Sequence, residues 1–181
     1  MRKFISKVCR GAGYILYYGI AQYLPDGGIP FVGKASRAIR GGLCHFLFEK
    51  CGKQVNIGRK AYWGTNKIEI GDYSGIGKKF EMHRSDLVIG NYVMMASGVL
   101  IYGGSHKYDR TDIPICKQGS EHKSKLIIGD DVWIGSRVTI LSKCTKIGTG
   151  AIIGACSVIT QDVPDYAIVA GNPAKIIKYR R

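Results

Sequence analysis

A mainly β fold, built as a solenoid of short parallel strands, is the class this sequence predicts, and three observations predict it. An apolar residue recurs at steps of six, six and seven over residues 57–159, and three such steps make one full turn. Glycine follows that apolar position at 58, 64, 71, 77, 90, 129, 135, 148 and 154. Glycine is abundant at 25 of 181 residues while proline stops at 5, the balance of a chain with many tight corners rather than a disordered one.

The chain is long enough for one domain with a real core. Its formal charge of +14 is uneven: residues 1–60 hold 11 Lys/Arg against 2 Asp/Glu, and the remainder 16 against 11. A balance so basic points to an anionic partner. Six cysteines (Cys9, Cys44, Cys51, Cys116, Cys144, Cys156) contain no C-x-x-C pair, which reads as reduced thiols in a cytoplasmic protein.

Residues 1–50 are expected to form an N-terminal helical extension. Its first segment runs from Arg2, Lys3, Lys7 and Arg10 into the apolar run Ala12–Leu24, too short to span a bilayer. A small-x-small site at Gly19-Ile20-Ala21 has the outline of a signal peptide, but Tyr14, Tyr17 and Tyr18 make a poor hydrophobic region. Phe4, Ile5, Val8 and Ala12 recur at helical spacing opposite the cations. That fits a basic helix in peripheral contact with a membrane through residues 1–24, on its inner face, or equally a helix capping the solenoid. The cluster Pro25–Pro30 reads as a turn. Gly33 to Cys51 then carries Ile39, Leu43, Phe46 and Leu47 among Lys34, Arg37 and Arg40, a second amphipathic helix.

Residues 51–165 hold the repeat. The inward apolar series is Ile57, Trp63, Ile70, Ile76, Met82, Ile89, Met95 and Ile101, then Ile128, Ile134, Ile140, Ile147, Ile153 and Ile159. A small or apolar residue four positions on shares the interior, including Ala61, Ser74, Val93, Val99, Ser105, Val132, Val138, Cys144, Ala151, Ser157 and Val163. A period of six suits neither an amphipathic helix nor an alternating strand. It suits a short strand and a corner, three times per turn, with glycine turning the corner. About five coils stacked at roughly 4.8 Å give a prism about 24 Å tall whose ends need caps. The step from Ile89 to Ile128 exceeds one full turn, and the excess predicts an inserted loop over 108–127. His106 stands where the rhythm breaks. Residues 166–181 form a C-terminal tail.

The cadence I-G-x-x-[small]-x resembles the hexapeptide-repeat acyltransferases over residues 51–178. The likeness is closest over Ile128–Ser136, Val169–Lys175 and the histidine before the loop, which look like the branch of sugar and capsular-polysaccharide O-acetyltransferases. Residues 1–50 look more like the extension of cell-surface polysaccharide enzymes. The resemblance implies a left-handed parallel β-helix and a homotrimer with sites in the clefts between subunits. Carried over by position, it makes His106 the general base. It places Ser136 near the thioester of acetyl-CoA, and Ala155, Thr160, Lys175 and Lys178 against the pantetheine arm or nucleotide. Gln161 stands where a lysine is frequent. His83 and Arg84 fall near the acceptor, at positions that are acidic in the small-sugar enzymes, which favours a larger or anionic acceptor.

The chemistry agrees with the residue types. Acyl transfer to a hydroxyl needs its proton removed during attack, and an imidazole of pKa about 6.5 suits that task. Glu81 or Asp109 are the carboxylates proposed to orient His106. Backbone N–H groups at corners such as Gly135-Ser136 can serve an oxyanion. No metal is expected, because His83, His106 and His122 lack the closely spaced pair of a three-histidine zinc centre. No nucleic-acid motif accompanies the positive charge. The expectation is an acetyl-CoA-dependent O-acetyltransferase acting on a carbohydrate acceptor in surface-polysaccharide biosynthesis. N-acetylation of a nucleotide-linked amino sugar and a non-catalytic β-helix scaffold remain as alternatives.

Overall fold

The structure, a computed structural model, describes residues 2–25 and 31–181, with the side chains of 2–9 left aside. Most of the expected turn at Pro25–Pro30, residues 26–30, lies outside the described residues, as do the side chains of Phe4, Ile5 and Val8. Two helices come first, α1 (Arg2–Gly19) and α2 (Val32–Leu47). The strands follow as β1 (Lys50–Cys51), β2 (Asn56–Ile57), β3 (Ile68–Ile70), β4 (Gly75–Ile76), β5 (Glu81–His83) and β6 (Ser85–Ile89). Next come β7 (Met94–Met95), β8 (Leu100–Tyr102), β9 (Ser124–Ile128), β10 (Trp133–Ile134), β11 (Thr139–Leu141) and β12 (Lys146–Ile147). The chain closes with β13 (Ile152–Ile153), β14 (Val158–Ile159), β15 (Ala167–Gly171) and β16 (Ala174–Tyr179).

These strands stack into three walls. Wall A is β1-β3-β6-β9-β12; wall C is β5-β8-β11-β14. Wall B joins β2-β4 to β7-β10-β13-β15-β16 through Gly75 N–H donating to the Val93 carbonyl at 2.9 Å. Pairing is parallel, and partners such as Lys50 with Glu69, Glu81 with Leu100 and Trp133 with Ile152 are offset by one full period of the sequence. Across the loop the offset grows to one period plus the excursion, as for Met94 with Trp133. Among the described strands only β15–β16 pair antiparallel, a hairpin that turns the expected tail into the last rungs of wall B.

All of the inward apolar positions named above are buried. Of the small or apolar residues named four positions later, all are buried except Ser105, which is exposed because the chain has already left the wall. Wall A also buries Ile68, Leu87 and Leu126, two residues ahead of the expected position. Its strands are therefore longer than the repeat suggests. Residues 124–127, expected in the loop, belong to β9, so the excursion runs from 104 to 123.

The corner glycine has a different job from the one expected. A Cβ on Gly77 would sit 1.9 Å from the Ala96 carbonyl oxygen, so glycine here provides clearance for the next turn. The bend itself falls two residues later, where Tyr73, Lys79, Tyr92, Asp131, Arg137 and Cys156 adopt left-handed φ of 52–60°. A ladder braces one corner: Lys53, Asp72 and Asn91 N–H donate to Asp72, Asn91 and Asp130 Oδ1 at 2.8, 2.8 and 2.6 Å.

The helices cover the prism's first turn. Tyr17 lies buried 4.4 Å from the Trp63 ring and donates to the Ala61 carbonyl, while Tyr18 Oη accepts from Trp63 and Gly64 N–H. Arg40 is buried, its Nε donating to Ile57 O at 2.7 Å and its Nη1 to Leu24 O at 3.1 Å. Helix α2 ends at Leu47, short of the expected Cys51. Phe48 is extended and Glu49 N–H already donates to Ile68 O in wall A.

Gly77→Ala should destabilise the protein by about 2–3 kcal/mol, since the obstructing atom is backbone. Gly11→Ala, with nothing within 4 Å, should instead stabilise α1 by up to about 1 kcal/mol. Thermal unfolding of the two variants at one protein concentration checks the contrast.

Candidate active site

Strand β8 delivers the histidine. At its end Gly103 N–H donates to His83 O at 2.8 Å, and Gly103 O accepts from Ser124 N–H at 2.7 Å. A Cβ there would meet Ser124 Oγ at 2.3 Å and Arg84 O at 2.4 Å, so only glycine fits where the chain departs. Beyond it the two stems of the loop pair antiparallel. His106 bridges Ser120, Lys107 N–H donates to Gly119 O at 3.1 Å, and Glu121 N–H donates to Ser105 O at 2.9 Å. The backbone of His106 is thus clasped while its side chain is exposed.

Other contacts hold the loop's frame. Gln118 Nε2 donates to Arg110 O at 2.7 Å and Ile113 O at 3.0 Å, and Arg110 pairs with Asp112. Arg84, itself at φ 52°, donates through Nη2 to the Glu121 carbonyl. Lys123 pairs with Asp86 where the chain returns. Burial alone would raise the Asp86 carboxyl. Lys123 and the Lys67 N–H outweigh it and hold the carboxyl below the usual range.

His83 lies on the outer face of wall C between Tyr62 and Tyr102, at ring distances of 5.8 and 5.6 Å. Glu81, one of the two carboxylates proposed for His106, instead stands 3.6 Å from His83 Nε2. Among the described residues no side chain hydrogen-bonds the His106 imidazole. No group of three His, Cys, Asp or Glu among them could hold a metal.

The expected acetyl-CoA contacts fall in two neighbourhoods. Ser136 and Ala155 occupy the same corner on adjacent turns, where Cys156 N–H donates to Ser136 O at 2.8 Å. Thr160 and Lys175 line one cleft of about 290 Å³ with Gln161, Val163 and Ala174. Lys175 sits across from Ala170 and Lys178 from Ile168, because a bulge between Ile168 and Val169 shifts the register. Residues 168 and 170 share a strand face, so the bulge aligns both lysines along the hairpin. Arg180 is a strut, bonded to Asp131 Oδ2 and Gly150 O at 2.9 Å each.

Tyr102, four residues before His106, pairs with Leu141, five residues beyond Ser136, so within one chain Ser136 precedes the wall C strand at whose far end the chain releases His106. Burial pushes the Cys144 thiol up to about 12 and the Cys51 thiol to about 11, and Cys44 is raised as well. These thiols are packing residues, inert as nucleophiles. The clasp and the His83 stack escape a reading of the repeat. The Gly103-Gly104 pair and the outward Tyr62, His83 and Tyr102 near one-turn spacing are the signals they leave.

A solenoid of three walls with a six-residue repeat defines the class, and comparison with known proteins then places the chain within it. The family model described as bacterial transferase hexapeptide (six repeats) matches residues 125–161. A chloramphenicol acetyltransferase of Klebsiella aerogenes is 39% identical over 143 residues, covering 62% of this chain and 68% of that protein. A probable acetyltransferase of Mycobacterium tuberculosis is 36% identical, over 72% of this chain and 44% of its own length. A putative lipopolysaccharide biosynthesis O-acetyl transferase of Escherichia coli is 31% identical, over 67% and 62%. Among solved structures, a hexapeptide-repeat-containing acetyltransferase from Vibrio cholerae superposes at TM-score 0.76 with 26% identity, over 97% of this chain and 93% of that one. Its complex with acetyl coenzyme A superposes at 0.73, with 26% identity over 97% and 88%. This chain belongs to the hexapeptide-repeat acetyltransferase family. It spans between about two fifths and two thirds of the length of these curated relatives.

Asp86 gives a pH test with a defined sign. Its folded carboxyl is depressed, so its contribution is present above the unfolded value of about 3.9 and is lost as pH falls through the folded value. Asp86→Asn should remove that part of the acid dependence, read from melting temperature against pH.

Proposed function

We propose that this protein is an acetyl-CoA-dependent O-acetyltransferase acting on a sugar hydroxyl in surface-polysaccharide biosynthesis in the cytoplasm, with His106 as general base. The observation that carries the reading is the exposed His106 imidazole on a clasped backbone, at the one break in the repeat. The imidazole takes the hydroxyl proton as that oxygen attacks the thioester carbonyl. Corner N–H groups near Ser136 meet the developing oxyanion, and the proton returns to the departing thiolate sulfur. The cleft of Thr160 and Lys175, with Lys178 along the same hairpin, suits the phosphates and arm of the acyl donor. His83 and Arg84 serve the acceptor side, Arg84 by holding the loop at Glu121.

The separation of Ser136 from His106 along wall C supports a homotrimer in which one subunit supplies the base and its neighbour the donor groove. The family supports a left-handed helix, and the strand series fits five coils with residues 1–50 as a cap. The Escherichia coli lipopolysaccharide relative supports the polysaccharide role. A second reading, a non-carbohydrate hydroxyl acceptor, is favoured by the Klebsiella aerogenes relative.

Release of CoA thiol from acetyl-CoA should require a hydroxyl acceptor, and a panel of lipid-linked sugars, nucleotide sugars, free glycosides and chloramphenicol separates the readings. His106→Ala should lower kcat about 10²–10⁴-fold with the melting temperature unchanged. Full activity in that variant would sink the mechanism. Lys175→Ala should raise KM for acetyl-CoA about three- to tenfold while sparing kcat.

A further inference from the structure

Helix α1 has two faces with different surroundings. Tyr17 and Ala21 just beyond its end are buried against the first turn, with Tyr14 and Tyr18 half-buried beside them. On the opposite side Ile15, Leu16 and Ile20 are 77%, 49% and 60% exposed. With the exposed Ala12 and Gly19 they fall within an arc of about 140° at 3.6 residues per turn. Helix α2 has a comparable arrangement: Val32, Ile39 and Phe46 are 48%, 50% and 67% exposed on one flank, and Lys34, Arg37 and His45 are exposed on another. Neither helix contains an acidic residue. Of the two acids in residues 1–60, Glu49 is bound by Arg10 at 2.9 Å, and Asp26 lies outside the described residues.

We propose that this end of the protein docks peripherally on a bilayer surface rich in anionic lipid. Ile15, Leu16 and Ile20 enter the boundary between headgroups and acyl chains, and the exposed Lys34 and Arg37 meet the lipid phosphates. A stripe of aliphatic side chains on a strongly basic extension whose two helices carry no carboxylate has the chemistry of an interfacial helix. Among the described residues no helix is long and apolar enough to cross a membrane, so the helix lies on the surface. The inner face of α1 is occupied by the prism, which leaves the aliphatic stripe available for this second contact. The inference does not rest on the proposed reaction, because it concerns side chains remote from His106 in the sequence and absent from the donor cleft.

The test is co-sedimentation of the full chain with phosphatidylcholine vesicles and with vesicles carrying about one third phosphatidylglycerol. Binding should be at least tenfold stronger to the anionic vesicles and should weaken as salt is raised. Ile15→Gln/Ile20→Gln should lower that binding at least tenfold, with melting temperature, oligomer mass by light scattering and acetyl transfer to a soluble acceptor unchanged. Lys34→Gln/Arg37→Gln should abolish the preference for anionic lipid. Equal binding by the apolar variant and the parent, or no binding by the parent, would overturn the proposal. A changed oligomer mass in the apolar variant would also overturn it, by assigning the stripe to a contact between copies of the chain.

Discussion

The vertical distance between successive turns governs the rest of this molecule. Parallel strands stack about 4.8 Å apart, and at that spacing a corner has no room for a side chain pointing along the prism axis. The carbonyl of Ala96 occupies the place where a Cβ of Gly77 would go. The bend is displaced to the residues that follow, which accept a left-handed backbone although most carry full side chains. Asp72, Asn91 and Asp130 then satisfy N–H groups that the corner removes from the strand ladders. A chain built this way cannot widen in the middle of a wall. It can only leave at a corner, and it does so at Gly103.

Much of this architecture is legible in the sequence, because the interior is one-dimensional. A residue three steps along the repeat meets its own kind one turn up, so periodicity alone identifies Ile57 through Ile159 as core. The failures have physical reasons. Ser105 satisfies the pattern yet lies outside, since the pattern does not encode where the chain departs. Ile68, Leu87 and Leu126 are buried by strand alternation superposed on the six-residue period, and this second rhythm hides within the first. Helix α2 stops early because Glu49 finds a wall partner, a tertiary event with no local signal.

The site divides along the same line. The position of His106 is readable as an interruption, but the clasp that fixes it joins the two stems of the loop, which share no periodicity. The alignment of Lys175 with Lys178 depends on a bulge that the spacing alone contradicts, since residues three apart in a regular strand face opposite ways. The N-terminal helices show a similar limit. Amphipathic spacing leaves a cap and a membrane contact as equal alternatives, whereas Tyr17 and Tyr18 show one face of α1 committed to the prism and the stripe of Ile15 and Ile20 facing away from it.

The two ends of the excursion, Gly103 and Ser124, are separated by one hydrogen bond of 2.7 Å. Whatever lies between them is closed off at its root, and the ladder continues beneath it as if uninterrupted. The inserted segment acts like a cartridge seated in a socket. Lengthening or replacing such a segment alters closure entropy only slowly and leaves the load on the stacked turns unchanged. Descendants of this chain could therefore exchange the tip of the segment beyond the His106–Ser120 bridge while the bridge and the prism beneath it stay as they are.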